Sequence, residues 1–331
     1  MSVVGVVLQV VLLVVTAPYL VGLMRQVRAR MEGRSGAGIG QPWRDLRKQL
    51  RKEPISPEGS TAVFVIAPYV VLSSALVIAA VGPFISAVSP LDRVADLFAV
   101  VALLLLGTVA LALAGLDTGT AFGGMGASRE ITVAALAEPT ILLVGFALST
   151  RVGSSNLAAI VERAQHSLSA VLSPGSLLAA VALAVVVVAE AGRLPVDNPS
   201  THLELTMIHE AMVLEYSGRD LAVVELASAL RLTVLLGLWA SLFLPWGVAV
   251  TSSPLALGLG VVAFAVKVAV LAAALAAVEV FMAKLRLFRV PEYLGMAFCR
   301  DRDANRRAGQ PGFHLLPRVV DGQRPFKNAR I

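Results

Sequence analysis

Between Ala189 and Gly218 the chain reads AEAGRLPVDNPSTHLELTMIHEAMVLEYSG, bringing Glu190, Arg193, Asp197, His202, Glu204, His209, Glu210 and Glu215 into one stretch. Such residues could bind a metal or move protons. His209-Glu210 opens like the zinc-protease pattern H-E-x-x-H, but position 213 is Val213 and the second zinc ligand is missing. His202 and His209 fall close to one helical face, and a metal held there would need Glu204 or Glu210 as a third protein ligand. The carboxylates suit proton transfer better, because burial raises a carboxylate pKa toward neutrality and lets it bind and release a proton. Part of the stretch also has a purely structural use. Pro195 and Pro199 interrupt any helix, and Thr201-x-x-Glu204 fits a capping box. That accounts for Glu204 and leaves Glu210 and Glu215 unexplained.

More ionisable groups stand inside apolar runs: Glu138, Glu190, Glu225, Arg231, Lys267 and Glu279. Each costs about 2.5–3.5 kcal/mol at bilayer depth on insertion scales, so such residues are functional candidates by default. Glu130 precedes the same run as Glu138. Lys267 and Glu279 are twelve residues apart, about 18 Å along one helix, so they cannot pair. Lys267 is expected to meet an acid from another helix.

The elements that would position these groups are membrane helices. The chain has 331 residues, 57% hydrophobic and 15% charged, against about 25% charged in a soluble domain. Runs near the roughly 20 residues that a spanning helix needs occur at Val3–Met24, Ala62–Val88, Ala95–Leu116, Ile131–Thr150, Leu177–Ala189, Leu221–Gly247 and Ala256–Ala283. The fifth is short, and its helix is expected from Pro174 to Glu190. The runs are apolar all round, unlike the alternating strands of a barrel. The first has neither a positive n-region nor a cleavage site and reads as a retained helix. The expected fold is all-α, a polytopic transmembrane bundle of about seven spans with an interfacial amphipathic helix. Residues 1–299 would form the membrane domain and 300–331 a polar cytoplasmic tail.

Of the 28 Lys and Arg, nine lie from Arg25 to Lys52 and eleven from Lys284 onward, with Arg129, Arg193 and Arg219 in the third and fifth connections. Positive residues collect on the cytoplasmic side, which places the N-terminus outside and the C-terminus in the cytoplasm of a cell (inner) membrane protein. The net charge of +6 reflects this bias rather than nucleic-acid binding. Cys299 is the lone cysteine, so an iron–sulfur cluster, which takes several thiolates, would belong to a partner chain.

In the first connection, Trp43, Leu46 and Leu50 recur at helical spacing among Arg and Lys, which fits an amphipathic helix from Pro42 to Lys52 lying at the interface; an ordinary positively charged loop has the same composition. The third connection, GLDTGTAFGGMGASREI, is glycine-rich, lacks the lysine of a phosphate loop, and offers Ser128 as N-cap of the fourth span.

EAGRLPVDNPSTHLEL and LEYSG, with GRSGAGIGQPWRDLRKQLRKEPISP, LALAGLDTGTAFGGMGASREITVAALAEP and FMAKLRLFRVPEYL, resemble the membrane subunit shared by respiratory complex I (subunit 1) and energy-converting [NiFe] hydrogenases, including formate hydrogenlyase subunit 4. The likeness runs in order along nearly the whole chain. It implies a non-catalytic subunit of an oxidoreductase complex that anchors the redox arm to antiporter-like membrane subunits and couples electron transfer to movement of H⁺ or Na⁺. Iron–sulfur clusters, and in hydrogenase relatives a nickel–iron centre, would sit on cytoplasmic partners, with no cofactor in this chain. By position, Glu190, Arg193, Asp197, Glu204 and Glu215 would be the coupling loop, and Glu130 and Glu138 the path in the membrane. Glu210, Glu225, Lys267 and Glu279 join that path as intramembrane or loop charges. Gln41, Asp45 and Lys48, with Arg129, would lie by a quinone-type cavity. Complex I members carry acids where this chain has Ser200 and His202, which brings it closer to the hydrogenase branch. A polar tail after Glu292 stands where many relatives have an eighth span. The alternatives are the quinone-site subunit of complex I proper and a stand-alone transporter, which would show inverted repeats.

Overall fold

In the computed structural model, residues 3–87, 90–91, 94–166, 173–192, 207–250, 253–281 and 295–296 are described. Arg193, Asp197, His202, Glu204 and the tail from 297 lie outside them. The described helices are α1 (Val3–Met31), α2 (Gln41–Leu50), α3 (Ala62–Val81), α4 (Leu97–Asp117), α5 (Ala121–Val152), α6 (Leu157–His166), α7 (Pro174–Glu190), α8 (His209–Val213), α9 (Gly218–Phe243) and α10 (Pro254–Phe281). Six of them, α1, α3, α4, α5, α9 and α10, are long and apolar enough to cross a membrane, and α7 is a shorter apolar helix. Together they make the bundle of about seven spans. Among the described residues there is no strand, only the isolated bridges Ser86–Ala249 and Asp96–Asn156.

The most deeply enclosed span is α9, while α10 is the most peripheral. Leu230, Val234, Leu235 and Leu238 of α9 pack into a core with Leu13, Ile78, Leu104, Val144 and Val186 from α1, α3, α4, α5 and α7. Because apolar surface gains nothing by leaving lipid for protein, close packing and internal hydrogen bonds hold such a bundle together. The outward residues of α1 (Val4, Leu8, Val11, Val15) and α10 (Leu255, Leu259, Val262, Val266) remain exposed in the chain. That is the surface a bilayer covers.

A proline inside α3 and the cap of that helix show how the bundle satisfies its own backbone. Pro68 has no N–H, so the Phe64 carbonyl one turn earlier loses its helical donor. The Tyr216 hydroxyl donates to that carbonyl at 2.8 Å, with its ring stacked on Phe64 at 4.1 Å. Burial pushes the Tyr216 phenol well above its ordinary pKa, so it stays a donor. Tyr216→Phe is expected to destabilise the chain by about 1–3 kcal/mol, the cost of an unsatisfied buried acceptor, read as a lower thermal midpoint in detergent. The N-terminus of α3 is capped from the end of α4: Asp117 accepts from the backbone N–H and hydroxyl of Thr61 at 2.7 and 2.8 Å and from Phe64 N–H at 3.3 Å.

The glycine-rich connection departs from expectation. The helix begins at Ala121, with Thr120 as N-cap, so Ser128 lies inside α5 and its hydroxyl turns back to the Met125 carbonyl at 3.0 Å. Close packing favours the longer helix. A Cβ at Gly123 would stand 2.3 Å from the Gly115 carbonyl of α4, and one at Gly126 would stand 2.9 Å from the Ile208 carbonyl. The glycines therefore let α5 press against α4 and the start of α8, and are not hinges of a loop. Span one also continues beyond Met24 to Met31, carrying Arg25 and Arg28 on its last turns.

Candidate functional site

The chain from Glu32 to Gly40 folds back over α1. Gly22 permits it, since a Cβ there would lie 1.9 Å from the Ile39 carbonyl. Gln26 fastens it by donating to the Ser35 carbonyl at 3.0 Å and accepting from Gly38 N–H at 3.0 Å. As a result α2 lies alongside α1, and the Trp43 indole donates to the Val15 carbonyl at 3.1 Å. The expected amphipathic segment is thus a helix. Its Pro42 and Leu46 are buried, and its polar side, together with α1, α5, α8 and α9, encloses a cavity of about 500 Å³.

Asp45, Lys48, Glu130, Glu190, Glu210 and Glu225 from the sequence reading line this cavity. Gln41 sits beside it and donates to Asp45 at 2.8 Å. Glu225 accepts from Gln49 at 3.2 Å, tying α2 to α9. His209, weighed as a metal ligand and set aside for want of a complete ligand set, lines the same space with its ring nitrogen 3.2 Å from the Ser228 hydroxyl. Among the described residues no group of three or more His, Cys, Asp or Glu is placed to hold a metal ion.

In the cavity wall formed by Glu190 and Arg231 the charges are buried. Glu190, at the last residue of α7, accepts from Arg231 of α9, whose guanidinium also donates to Thr108 of α4 at 2.6 Å. The Glu190 side chain is 2% exposed and that of Arg231 13%. Gly107 brings α4 close to α3, since a Cβ there would stand 3.0 Å from the Ser74 hydroxyl, while the Arg231 guanidinium would be at an ordinary contact distance of 3.7 Å. Glu138 of α5 is buried within electrostatic range of Glu190 and Arg231, and its Oε1 has no hydrogen-bond partner among the described residues. Pro139 follows directly. Its missing N–H frees the Ala135 carbonyl and weakens the helix next to the acid. Two carboxylates and one guanidinium at this depth form a charge set that one proton can rearrange, because Arg231 can balance only one of them.

Four of the predicted residues stand apart. Glu279 of α10 is buried and accepts from Arg28 of α1. Glu215 is half-exposed in the turn before α9 and is not part of the cavity wall. Arg129 donates to the Met207 carbonyl at 3.0 Å and so steadies α8 from outside the cavity. Lys267 corrects an expectation: its ammonium donates to the Leu244 carbonyl at 2.5 Å, at the C-terminal end of α9, and meets no acid among the described residues. The unpaired carbonyls and the negative end of the helix dipole supply the compensation a carboxylate would have given. Arg28, Thr108, Gln49 and Ser228 were not singled out from the sequence. Arg28 is masked by the positive cluster around it, and the others are ordinary polar residues whose partners are distant in the chain.

Fold and site define a membrane-embedded helical protein with a charge-lined cavity whose wall includes the buried Glu190–Arg231 pair. The sequence pattern of the family described as NADH dehydrogenase matches residues 3–299, and the chain belongs to that family, the complex I subunit 1-like membrane proteins. It is 34% identical over 298 residues to formate hydrogenlyase subunit 4 of Escherichia coli (strain K12), covering 90% of this chain and 96% of that one. It is 36% identical to hydrogenase-4 component C of the same strain, over 72% and 74% of the two chains. NADH-quinone oxidoreductase subunit 8 of Rhodothermus marinus is 30% identical over 70% of each. The fold matches a chain in the structure of the membrane-bound sulfane sulfur reductase, an archaeal respiratory membrane complex, with a TM-score of 0.73 at 18% identity, covering 92% of this chain and 99% of that chain.

Proposed function

We propose that this chain is the membrane-anchor and coupling subunit of a hydrogenase-type, complex I-like redox complex, in which electron transfer on partner subunits drives H⁺ or Na⁺ translocation through acids in the membrane. The observation that carries it is a second buried carboxylate, Glu138, within electrostatic range of the Glu190–Arg231 ion pair that lines the cavity. Buried charges in a membrane are expensive, which makes such residues functional candidates by default. The two Escherichia coli relatives, named for formate hydrogenlyase and hydrogenase-4, support the hydrogenase branch.

In this reading the end bearing Arg25, Arg28, Lys48 and Lys52 faces the cytoplasm, where a partner with iron–sulfur clusters, and in a hydrogenase a nickel–iron centre, docks over the cavity. Antiporter-like subunits lie alongside in the cell membrane. The N-terminus is outside and the C-terminus inside, following the positive-residue bias. Arg193, Asp197, Glu204 and Glu215 complete the junction with the partner. Affinity purification from native membranes should bring down subunits carrying iron–sulfur signals in electron paramagnetic resonance. The purified chain alone should pass no ions in liposomes, and an ion flux from it would replace this reading with a stand-alone transporter.

A further inference from the structure

We propose that the outward face of α5 between Ser128 and Pro139 seats a transmembrane helix of a neighbouring membrane subunit, and that this helix presents a lysine to the face. This rests on the coupling reading only for the premise that the chain works inside a membrane complex.

Backbone chemistry makes the first case. Ser128, Thr132, Ala135 and Pro139 follow at spacings of four, three and four residues, so they share one side of α5, and all four are exposed. Pro139 brings no N–H, which leaves the Ala135 carbonyl on that side without its helical donor, and among the described residues no side chain replaces it. Pro68 of α3 raises the same difficulty, and there the Tyr216 hydroxyl answers it from within the chain. Ala135 lies near the middle of the 32-residue helix, at a depth where lipid offers no hydrogen bond. The hydroxyls of Ser128 and Thr132 donate to their own helix, to the Met125 carbonyl at 3.0 Å and the Ser128 carbonyl at 2.8 Å, so what they offer outward is acceptor oxygen as well. The face is a row of acceptors about 10 Å long, and its complement is a donor.

Charge makes the second case. One turn from Ala135, on the flank of the same face, Glu138 is 8% exposed and its Oε1 has no hydrogen-bond partner among the described residues. With Glu190 it sets two carboxylates against the single guanidinium of Arg231. A cationic donor arriving beside Ala135 answers the free carbonyl and the excess of acid together. The ammonium of a lysine does so with three N–H groups on a flexible stem.

The make-up of the face makes the third. Elsewhere the outward residues are large and aliphatic, as with Val4, Leu8 and Val11 of α1 and Leu255, Leu259 and Val262 of α10. On α5 the outward side is small and polar from Ser128 to Pro139, with Ile131 at its edge and the bulky Met125 and Phe146 beyond its ends. Small residues let helix backbones approach closely, and Ser and Thr hydrogen-bond across such contacts. Lipid gains from neither.

The test uses the intact complex in native membranes, with the photoreactive residue p-benzoylphenylalanine in place of Thr132 or, as the lipid-facing reference, of Val11. Thr132 should cross-link to a single membrane span of a neighbouring subunit, and mass spectrometry of the joined peptide should find a lysine within that span. Lipid adducts at Thr132 as at Val11 would overturn the proposal, and so would a cross-link to a second copy of this chain, to another segment of the same chain, or to a span without lysine. Pro139→Ala restores the missing N–H and Ala135→Leu fills the seat. Each should lower the amount of that subunit retained in mild detergent by about tenfold, the scale of one lost hydrogen bond between membrane helices. Should Ala135→Leu fail to fold, Pro139→Ala decides, because it makes α5 more regular, and unchanged retention there sinks the proposal. If Glu138→Gln leaves proton coupling intact while the Thr132 cross-link stands, the coupling reading falls and the interface remains; coupling lost in Glu138→Gln with only lipid adducts at Thr132 does the reverse.

Discussion

Arg231→Leu is expected to destabilise the folded chain by about 3–5 kcal/mol, because it strands the Glu190 carboxylate, and the charge shared with Glu138, without a cation. Both members of the pair are nearly enclosed, so water cannot take over the role of the guanidinium. Adding Glu190→Gln to Arg231→Leu should recover much of the loss, since the double variant buries no charge at that point. Thermal midpoints of the four proteins in detergent close a double-mutant cycle. An Arg231→Leu chain as stable as the wild type would mean that Glu190 is protonated or otherwise compensated, and the shared-charge description would fail. The Thr108 hydroxyl that accepts from Arg231 is a weaker support, so Thr108→Val should cost less than the loss of the arginine.

Glu138→Gln should leave assembly and the electron-transfer activity of the partners in place while lowering redox-linked proton movement by roughly a hundredfold, the scale of losing a positioned acid–base group. Glutamine keeps the shape of the side chain and removes the titration. The measurement is proton uptake per electron in inverted membrane vesicles, set against substrate turnover. Glu215→Gln should have a smaller effect on the same ratio, because that residue is half-exposed and outside the cavity wall. If both variants assemble and couple like the wild type, the relay assigned to these acids is wrong.

The bundle was legible in the sequence because a spanning helix is a local statement: a run of apolar residues of sufficient length. The fifth span was expected from Pro174 to Glu190, where the helix lies, since the apolar run from Leu177 to Ala189 is too short to span by itself. The amphipathic helix was legible for the same reason, through Trp43, Leu46 and Leu50 at one-turn spacing. Ser128 misled because an N-cap residue and a glycine-rich segment are also compatible with a helix pressed against its neighbour. Only the approach of Gly115 and Ile208 decides between those two readings.

The candidate site divides along the same line. That Glu138, Glu190, Glu225, Lys267 and Glu279 stand within or at the ends of apolar runs follows from the order of residues, and so does the expense of placing them there. Which charge meets which is a matter of helices far apart in the chain. Glu190 meets Arg231 across 41 positions, Arg28 meets Glu279 across 251, and Lys267 is satisfied by the end of α9 where an acid was expected. Hydropathy acts along the chain and fixes the number of spans. Ion pairs act across space, and only the packed bundle brings their members together.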